Sequence, residues 1–159
     1  MEKIKVILAD DHKILRESLV ILLSQKENIE VVGEAGDGQE AYRKITELKP
    51  DVAVLDISIP RLNGLDLAMR LKNELPEVRT VILTMHKTGE YVTRALCAGV
   101  RGYALKDNAL EELIECIETV YAGKMFLSQD VTGYVVEGFV NGFRDAGFQA
   151  EAISDRKSV

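Results

Sequence analysis

The chain has 159 residues, a length that suits one domain with an appendage. Acidic residues outnumber basic ones by 26 to 20, and the net charge of -6 argues against a broad nucleic-acid-binding face. No apolar run approaches the roughly 20 residues of a membrane helix, and the N-terminus lacks the small-residue cleavage site of a secretory signal. Cys97 and Cys116 have no metal-ligand spacing, which favours reduced thiols and a cytoplasmic location.

Short apolar runs rich in β-branched residues alternate with stretches of helical period. The runs predict strands near residues 4–9, 29–33, 52–56, 79–84 and 101–105. Apolar residues three and four apart predict a helix after each strand, most clearly over 110–121. Pro50 and Pro76 mark the ends of the second and third helices, and Gly99 and Gly123 suit C-terminal caps.

This alternation predicts an α/β protein with a parallel sheet covered by helices on both faces. The flavodoxin-like (βα)5 doubly wound sheet, with strand order 2-1-3-4-5, is one common solution. From about Met125 the alternation stops, and a further helix is predicted near 130–143, although Gly133, Gly138 and Gly142 weaken it. We therefore expect one domain over 1–124, followed by a linker over 125–159.

Polar residues follow four of the predicted strands where each strand ends. Asp10 and Asp11 close the first strand, Asp56 the third, Thr84 the fourth and Lys106 the fifth. The binding crevice of such a sheet lies at the carboxyl ends of its strands, so the topology should gather these side chains along one edge.

Converging carboxylates repel one another unless a cation neutralises them. Mg²⁺ fits because it accepts a few carboxylates and keeps waters that a phosphate can replace. Lys106 and Thr84 would then contact phosphoryl oxygens, which leaves one carboxylate to act as a nucleophile. Asp56 is the best candidate because its strand should be central in the sheet.

Each of these residues also has a structural interpretation when it is taken alone. Asp56 or the pair Asp10 and Asp11 could form a turn or cap a helix. Thr84 could simply end a strand, and Lys106 could be a solvated lysine. We interpret His12 and His86, which flank the same edge, as polar loop residues without a metal role.

The combined pattern resembles the receiver domain of two-component response regulators, from residue 3 to about 123. The residues that carry the resemblance are Asp10 with Asp11, Asp56 with Pro60 and Gly64, Thr84, and Tyr103 with Lys106. The stretches LADDHKILRESL, DVAVLDISIPRLNGLDL, VILTMH and GVRGYALKD are most similar to the NarL/FixJ (LuxR-type) subfamily of transcriptional regulators.

The resemblance implies a role for each matching residue. Asp56 would be the phosphoacceptor. Asp56 and Asp11 would bind Mg²⁺ directly, together with the main-chain carbonyl of Ser58, and Asp10 would hold the ion mainly through water. The phosphoryl group would be contacted by Thr84, by Lys106 and by the main-chain N–H of Met85. Tyr103 would turn inward when Thr84 moves toward the phosphate.

The resemblance also implies partners. A sensor histidine kinase would supply the phosphoryl group, and phosphorylation would favour a homodimer. DNA would be bound only through a C-terminal helix-turn-helix domain, which we expect to be absent from this chain. The protein would be no enzyme beyond catalysing its own phosphorylation and dephosphorylation. A stand-alone receiver that acts through protein contacts is the alternative.

Two further alternatives come from other protein classes. Residues 36–41 fit the G-x-G-x-x-G/A dinucleotide fingerprint. The carboxylates of Asp37 and Glu40 would then face the pyrophosphate, which is also negatively charged. A phosphatase of the haloacid dehalogenase type would also use an aspartyl nucleophile. That chemistry needs a second aspartate two residues later, where this chain has Ser58.

Overall fold

The computed structural model describes residues 2–86 and 88–131. The helix predicted near 130–143 lies, beyond its first two residues, outside this range. Within the described residues, no helix combines the length and the apolar character needed to cross a membrane.

The strands form one parallel sheet in the order β2-β1-β3-β4-β5-β6. They span Ile4–Ala9 (β1), Ile29–Ala35 (β2), Val52–Leu55 (β3), Arg79–Thr84 (β4), Gly102–Leu105 (β5) and Phe126–Leu127 (β6). The predicted order of the first five strands is confirmed. The sequence did not predict β6, because two residues are too few to show a strand period.

Among the residues that the structure describes, five α-helices alternate with the strands. They span Lys13–Ser24 (α1), Gly38–Leu48 (α2), Gly64–Glu74 (α3), Gly89–Cys97 (α4) and Ala109–Tyr121 (α5). The predicted helix ends are confirmed: α2 and α3 stop two residues before Pro50 and Pro76. Gly99 and Gly123 have positive φ angles of 84° and 88°, a conformation that glycine adopts without steric cost.

The helices divide between the two faces of the sheet. Buried residues of α1 and α5, such as Leu19 and Leu113, pack with Val54 in one apolar cluster. Buried residues of α2, α3 and α4 pack with Leu55 in the other. Both faces of β3 are therefore covered, as in a doubly wound sheet, and its unbroken apolar sequence follows from that burial.

Gly64 lets the start of α3 approach the main chain of Asp56. A Cβ at this position would lie 2.4 Å from the Asp56 carbonyl oxygen. The Gly64 N–H donates to the Ile57 carbonyl at 3.1 Å, which holds the two segments together. A side chain here must displace the loop that follows β3.

We expect Gly64→Ala to lower the free energy of unfolding by about 1–3 kcal/mol, because a clash with backbone cannot be relieved by a rotamer change. Chemical denaturation would measure the difference. Gly36→Ala is the matched control, since its added Cβ would meet only the end of the Arg16 side chain, at 3.3 Å. Equal losses in the two variants would contradict the close-packing argument.

Candidate functional site

The carboxyl edge of the sheet gathers the predicted polar residues. Asp10 follows β1, Asp56 follows β3 and Lys106 follows β5, while Thr84 is the last residue of β4. The strands are in register at this edge, where Ala9 pairs with Leu55 and Thr84 pairs with Leu105. Asp10, Asp56 and Thr84 are almost fully buried.

The Lys106 ammonium lies between two buried carboxylates. Its Nζ is 2.9 Å from Asp56 Oδ2 and 3.0 Å from Asp10 Oδ2. All three side chains are at most 6% exposed. Burial alone would lower the pKa of Lys106, but hydrogen bonds and charge attraction from Asp56 and Asp10 raise it above its ordinary value. The interpretation of Lys106 as a solvated lysine is therefore wrong.

The two oxygens of Asp10 have different surroundings. Oδ1 accepts a hydrogen bond from the His12 main-chain N–H at 2.8 Å. Oδ2 is buried and has the Lys106 ammonium as its charged partner, 3.0 Å away. The positive charge of Lys106 therefore offsets the burial of this carboxylate.

Four side chains at this edge could hold a metal ion. Asp10, Asp11, His12 and Asp56 each offer a ligand atom, and these atoms lie within 4.8 Å of one another. Carboxylate oxygens in this number suit a hard divalent ion such as Mg²⁺. Ser58 lies beside the cluster, where its main-chain N–H donates to Asp56 Oδ1 at 3.2 Å.

His12 is an exposed polar residue of the loop before α1, and its ring contacts the acidic pair and Lys106. Its Nδ1 lies 3.2 Å from Asp10 Oδ1, 3.5 Å from Asp11 Oδ1 and 3.1 Å from Lys106 Nζ. The only signal in the sequence was its position next to the acidic pair. The backbone turn after β1, which brings the ring back over Asp10, could not be predicted from residue types.

Arg16 is a second neighbour that the sequence did not reveal. Its guanidinium donates from Nη1 to the Asp10 main-chain carbonyl and from Nε to Glu34 at 3.3 Å. This contact ties the first turn of α1 to the loop that carries the acidic pair. Arg16 therefore helps to hold in place the loop that carries Asp10 and Asp11.

The side chains of Thr84 and Tyr103 both form hydrogen bonds with the main chain of His86. The Thr84 hydroxyl accepts a hydrogen bond from the His86 N–H at 3.2 Å. The Tyr103 hydroxyl donates to the His86 carbonyl at 2.7 Å. Tyr103 is fully buried, and burial raises its pKa. The Tyr103 side chain is thus turned inward in this conformation, with its hydroxyl bonded to the main chain. The Met85 side chain is exposed.

We expect Tyr103→Phe to lower the free energy of unfolding by about 1–2 kcal/mol, because the change removes the donor to the His86 carbonyl. Urea denaturation would measure the loss. Tyr121→Phe removes a hydroxyl from a partly exposed ring and should have little effect. A wild-type value for Tyr103→Phe would show that its hydrogen bond contributes nothing to stability.

The glycine-rich segment before α2 does not form a nucleotide site. Asp37 caps the helix, where its side chain accepts a hydrogen bond from the Glu40 N–H at 2.8 Å. Gly38 packs so closely on the next loop that a Cβ would lie 1.7 Å from the Leu62 carbonyl oxygen. Protein atoms thus occupy the helix N-terminus where a pyrophosphate would bind.

The described residues form a doubly wound parallel α/β domain with a lysine between two buried aspartates, and comparison with known proteins identifies its family. Residues 6–118 match the family model of the response regulator receiver domain. The chain belongs to this family.

The relatives belong to the same class. The chain is 39% identical over 138 residues to the oxygen regulatory protein NreC of Staphylococcus epidermidis, covering 86% of this chain and 63% of that protein. It therefore spans less than two thirds of the curated relative's length. A LuxR-family two-component response regulator from Aurantimonas sp. superposes with a TM-score of 0.83 at 32% identity, covering 87% of this chain and 99% of that one. The receiver domain of a NarL response regulator from Mycobacterium tuberculosis gives 0.75 at 33% identity, over 78% and 100% of the two chains.

Proposed function

We propose that Asp56 accepts a phosphoryl group from a phosphohistidine on a sensor histidine kinase. The observation that carries this proposal is the ion pair of 2.9 Å between the buried Asp56 carboxylate and Lys106, at the edge where Asp10 and Asp11 also converge. A carboxylate held beside an ammonium and a metal-binding cluster suits attack on phosphorus.

The transfer exchanges one bond for another. A carboxylate oxygen of Asp56 forms a bond to phosphorus as the bond from phosphorus to the histidine nitrogen breaks, and that nitrogen keeps the electron pair. Lys106, the Thr84 hydroxyl and the main-chain N–H of Met85 contact the phosphoryl oxygens as they arrive. These groups are donors, so they stabilise the added negative charge.

The metal requirement follows from the same residues. Asp11, Asp56 and the Ser58 carbonyl would hold Mg²⁺ directly, and Asp10 would hold it mainly through water. When bound, the ion offsets the repulsion between an anionic phosphoryl group and an anionic nucleophile.

The phosphorylated domain controls an output. Thr84 moves toward the phosphoryl group, and because its hydroxyl is bonded to His86, that movement disturbs the segment that holds Tyr103. The altered surface favours a homodimer and switches a DNA-binding domain that controls transcription in the cytoplasm. One solved relative is described as two RcsB dimers bound to two parallel DNAs, which supports such an output.

Phosphorylation by a small phosphodonor tests the proposal. The protein is incubated with acetyl phosphate and Mg²⁺, and its intact mass is measured with and without EDTA. We expect one phosphoryl group per chain, dependent on Mg²⁺, labile to hydroxylamine and absent from Asp56→Asn. Equal phosphorylation of Asp56→Asn would overturn the assignment. Release of many phosphates per chain would indicate a phosphatase instead.

A further inference from the structure

Residues 126–131, here called the strap, close the β5 edge of the sheet. β6 pairs in parallel with β5, and Leu127 lies opposite Tyr103 in the register. The Ser128 N–H donates to the Tyr103 carbonyl at 2.9 Å. The strap is therefore bonded to the main chain of the strand that ends one residue before Lys106.

A second bond attaches the strap on the other side of Lys106. The 3-10 turn Lys106–Asn108 follows β5, and Asn108 Nδ2 donates to Asp130 Oδ2 at 3.0 Å. Asn108 is the N-cap residue of α5, yet its side chain makes no capping hydrogen bond. That side chain therefore serves the strap rather than the helix, and the two attachments bracket Lys106 in the chain.

Apolar side chains also hold the strap. Val131 is fully buried in the cluster that contains Tyr103 and Leu105, and Leu127 packs against the same cluster. Phe126 packs against the cluster on the opposite face of the sheet. A strand of two residues makes too few hydrogen bonds to persist alone, so the order of the strap depends on these neighbours.

We infer that the strap is a conformational relay, which loosens when Lys106 is displaced and so carries the state of the site to the edge of the domain. This inference rests on the proposed function, in which a phosphoryl group on Asp56 supplies the displacement. The Lys106 ammonium now lies 2.9 Å from Asp56 and 3.0 Å from Asp10, and an arriving phosphoryl group draws it away from these positions. Because the two attachments lie on either side of Lys106, its movement changes their spacing, and a strap bonded to both favours the unmodified state.

Hydrogen–deuterium exchange followed by mass spectrometry tests the attachment in the unmodified protein. We expect Asn108→Ala to speed exchange in the peptide that covers the strap about threefold or more, as the loss of one hydrogen bond predicts. Asp130→Ala should have the same effect, and the double variant should add little to either. Asn73→Ala, at an exposed position of α3, is the matched control, and β2 is the reference strand at the opposite edge of the sheet. Equal rates in wild type and Asn108→Ala would overturn the inference.

Phosphorylation tests the relay itself. With acetyl phosphate and Mg²⁺ present, exchange in the strap of wild type should become about fivefold faster or more, a change typical of coupling between two sites. Exchange in β2 should stay the same. Asn108→Ala has already lost one attachment, so it should show less than about half of this response while gaining the same phosphoryl mass. A wild-type strap that exchanges at an unchanged or slower rate after phosphorylation would contradict the relay.

The intact mass separates a failure of the relay from a failure of the proposed function. Wild-type protein that gains no phosphoryl group contradicts the role of Asp56 as the phosphoacceptor. The unmodified variants then decide the inference by themselves: a selective rise in strap exchange in Asn108→Ala supports it, and equal rates overturn it.

Discussion

Replacing Lys106 with methionine should lower the free energy of unfolding by about 3 kcal/mol or more in neutral solution without divalent ions. The change leaves Asp10 and Asp56, whose side chains are 1% and 2% exposed, without the ammonium that lies between them. Methionine keeps much of the side-chain volume, so the loss reports mainly on charge. Urea denaturation in EDTA would measure it.

The pH dependence of this loss has a definite sign. Because Asp56 and Asp10 raise the pKa of Lys106 despite its burial, the ammonium's stabilising contribution is complete below the ordinary lysine value of 10.5. It disappears only as the pH rises through the higher, folded-state pKa. The difference between wild type and Lys106→Met should therefore persist from neutral pH upward and shrink only in strongly alkaline solution.

A surface lysine provides the control for charge removal. Lys44 pairs with Glu40 at 3.0 Å, and both side chains are about one third exposed. Lys44→Met should cost at most about 1 kcal/mol, because solvent screens an exposed pair. Added Mg²⁺ should recover more stability in Lys106→Met than in wild type, since it returns positive charge to the carboxylates. Equal losses in the Lys106 and Lys44 variants would contradict the buried-pair account.

Much of the sheet could be predicted because its strands are buried on both faces. Val52–Leu55 is an unbroken apolar run, and the helices on either side show apolar residues at helical spacing. In the five predicted strands the differences lie at strand ends, such as that of β2, which continues to Ala35 rather than ending near residue 33. β6 could not be predicted because it is defined by hydrogen bonds to the segment that contains β5. One of them runs from the Phe126 N–H to the Arg101 carbonyl at 3.0 Å.

The sequence predicted which site residues lie at the same edge of the sheet, because the strand order alone determines this. Strand order placed Lys106, Asp56 and Asp10 at one edge, but the direct ion pairs between them were not predicted. The contacts of His12 and Arg16 were not predicted either, because their positions depend on the turn between β1 and α1. The inward position of Tyr103 depends on a hydrogen bond to a main-chain carbonyl, which no residue pattern encodes.

Asp11→Asn should separate metal binding from stability. The Asp11 side chain is 41% exposed, and its Oδ1 lies 3.5 Å from His12 Nδ1. Its neutralisation should therefore change the free energy of unfolding by less than about 1 kcal/mol in EDTA, because an exposed pair contributes little. As a proposed direct ligand of Mg²⁺, however, it should control how the protein responds to that ion.

The response can be measured as melting temperature against Mg²⁺ concentration. A ligand that binds only the native state stabilises it by about 2.7 kcal/mol when present at 100 times its dissociation constant. We expect Asp11→Asn to need at least about ten times more Mg²⁺ for the same stabilisation. Asp51→Asn, at the opposite edge of the sheet, is the matched control, since its carboxamide can still accept from the Lys5 N–H. An unchanged Mg²⁺ response in Asp11→Asn would show that Asp11 is not a ligand of the ion. The proposed phosphoryl transfer would then depend on the buried Asp10, Asp56 and Lys106 without it.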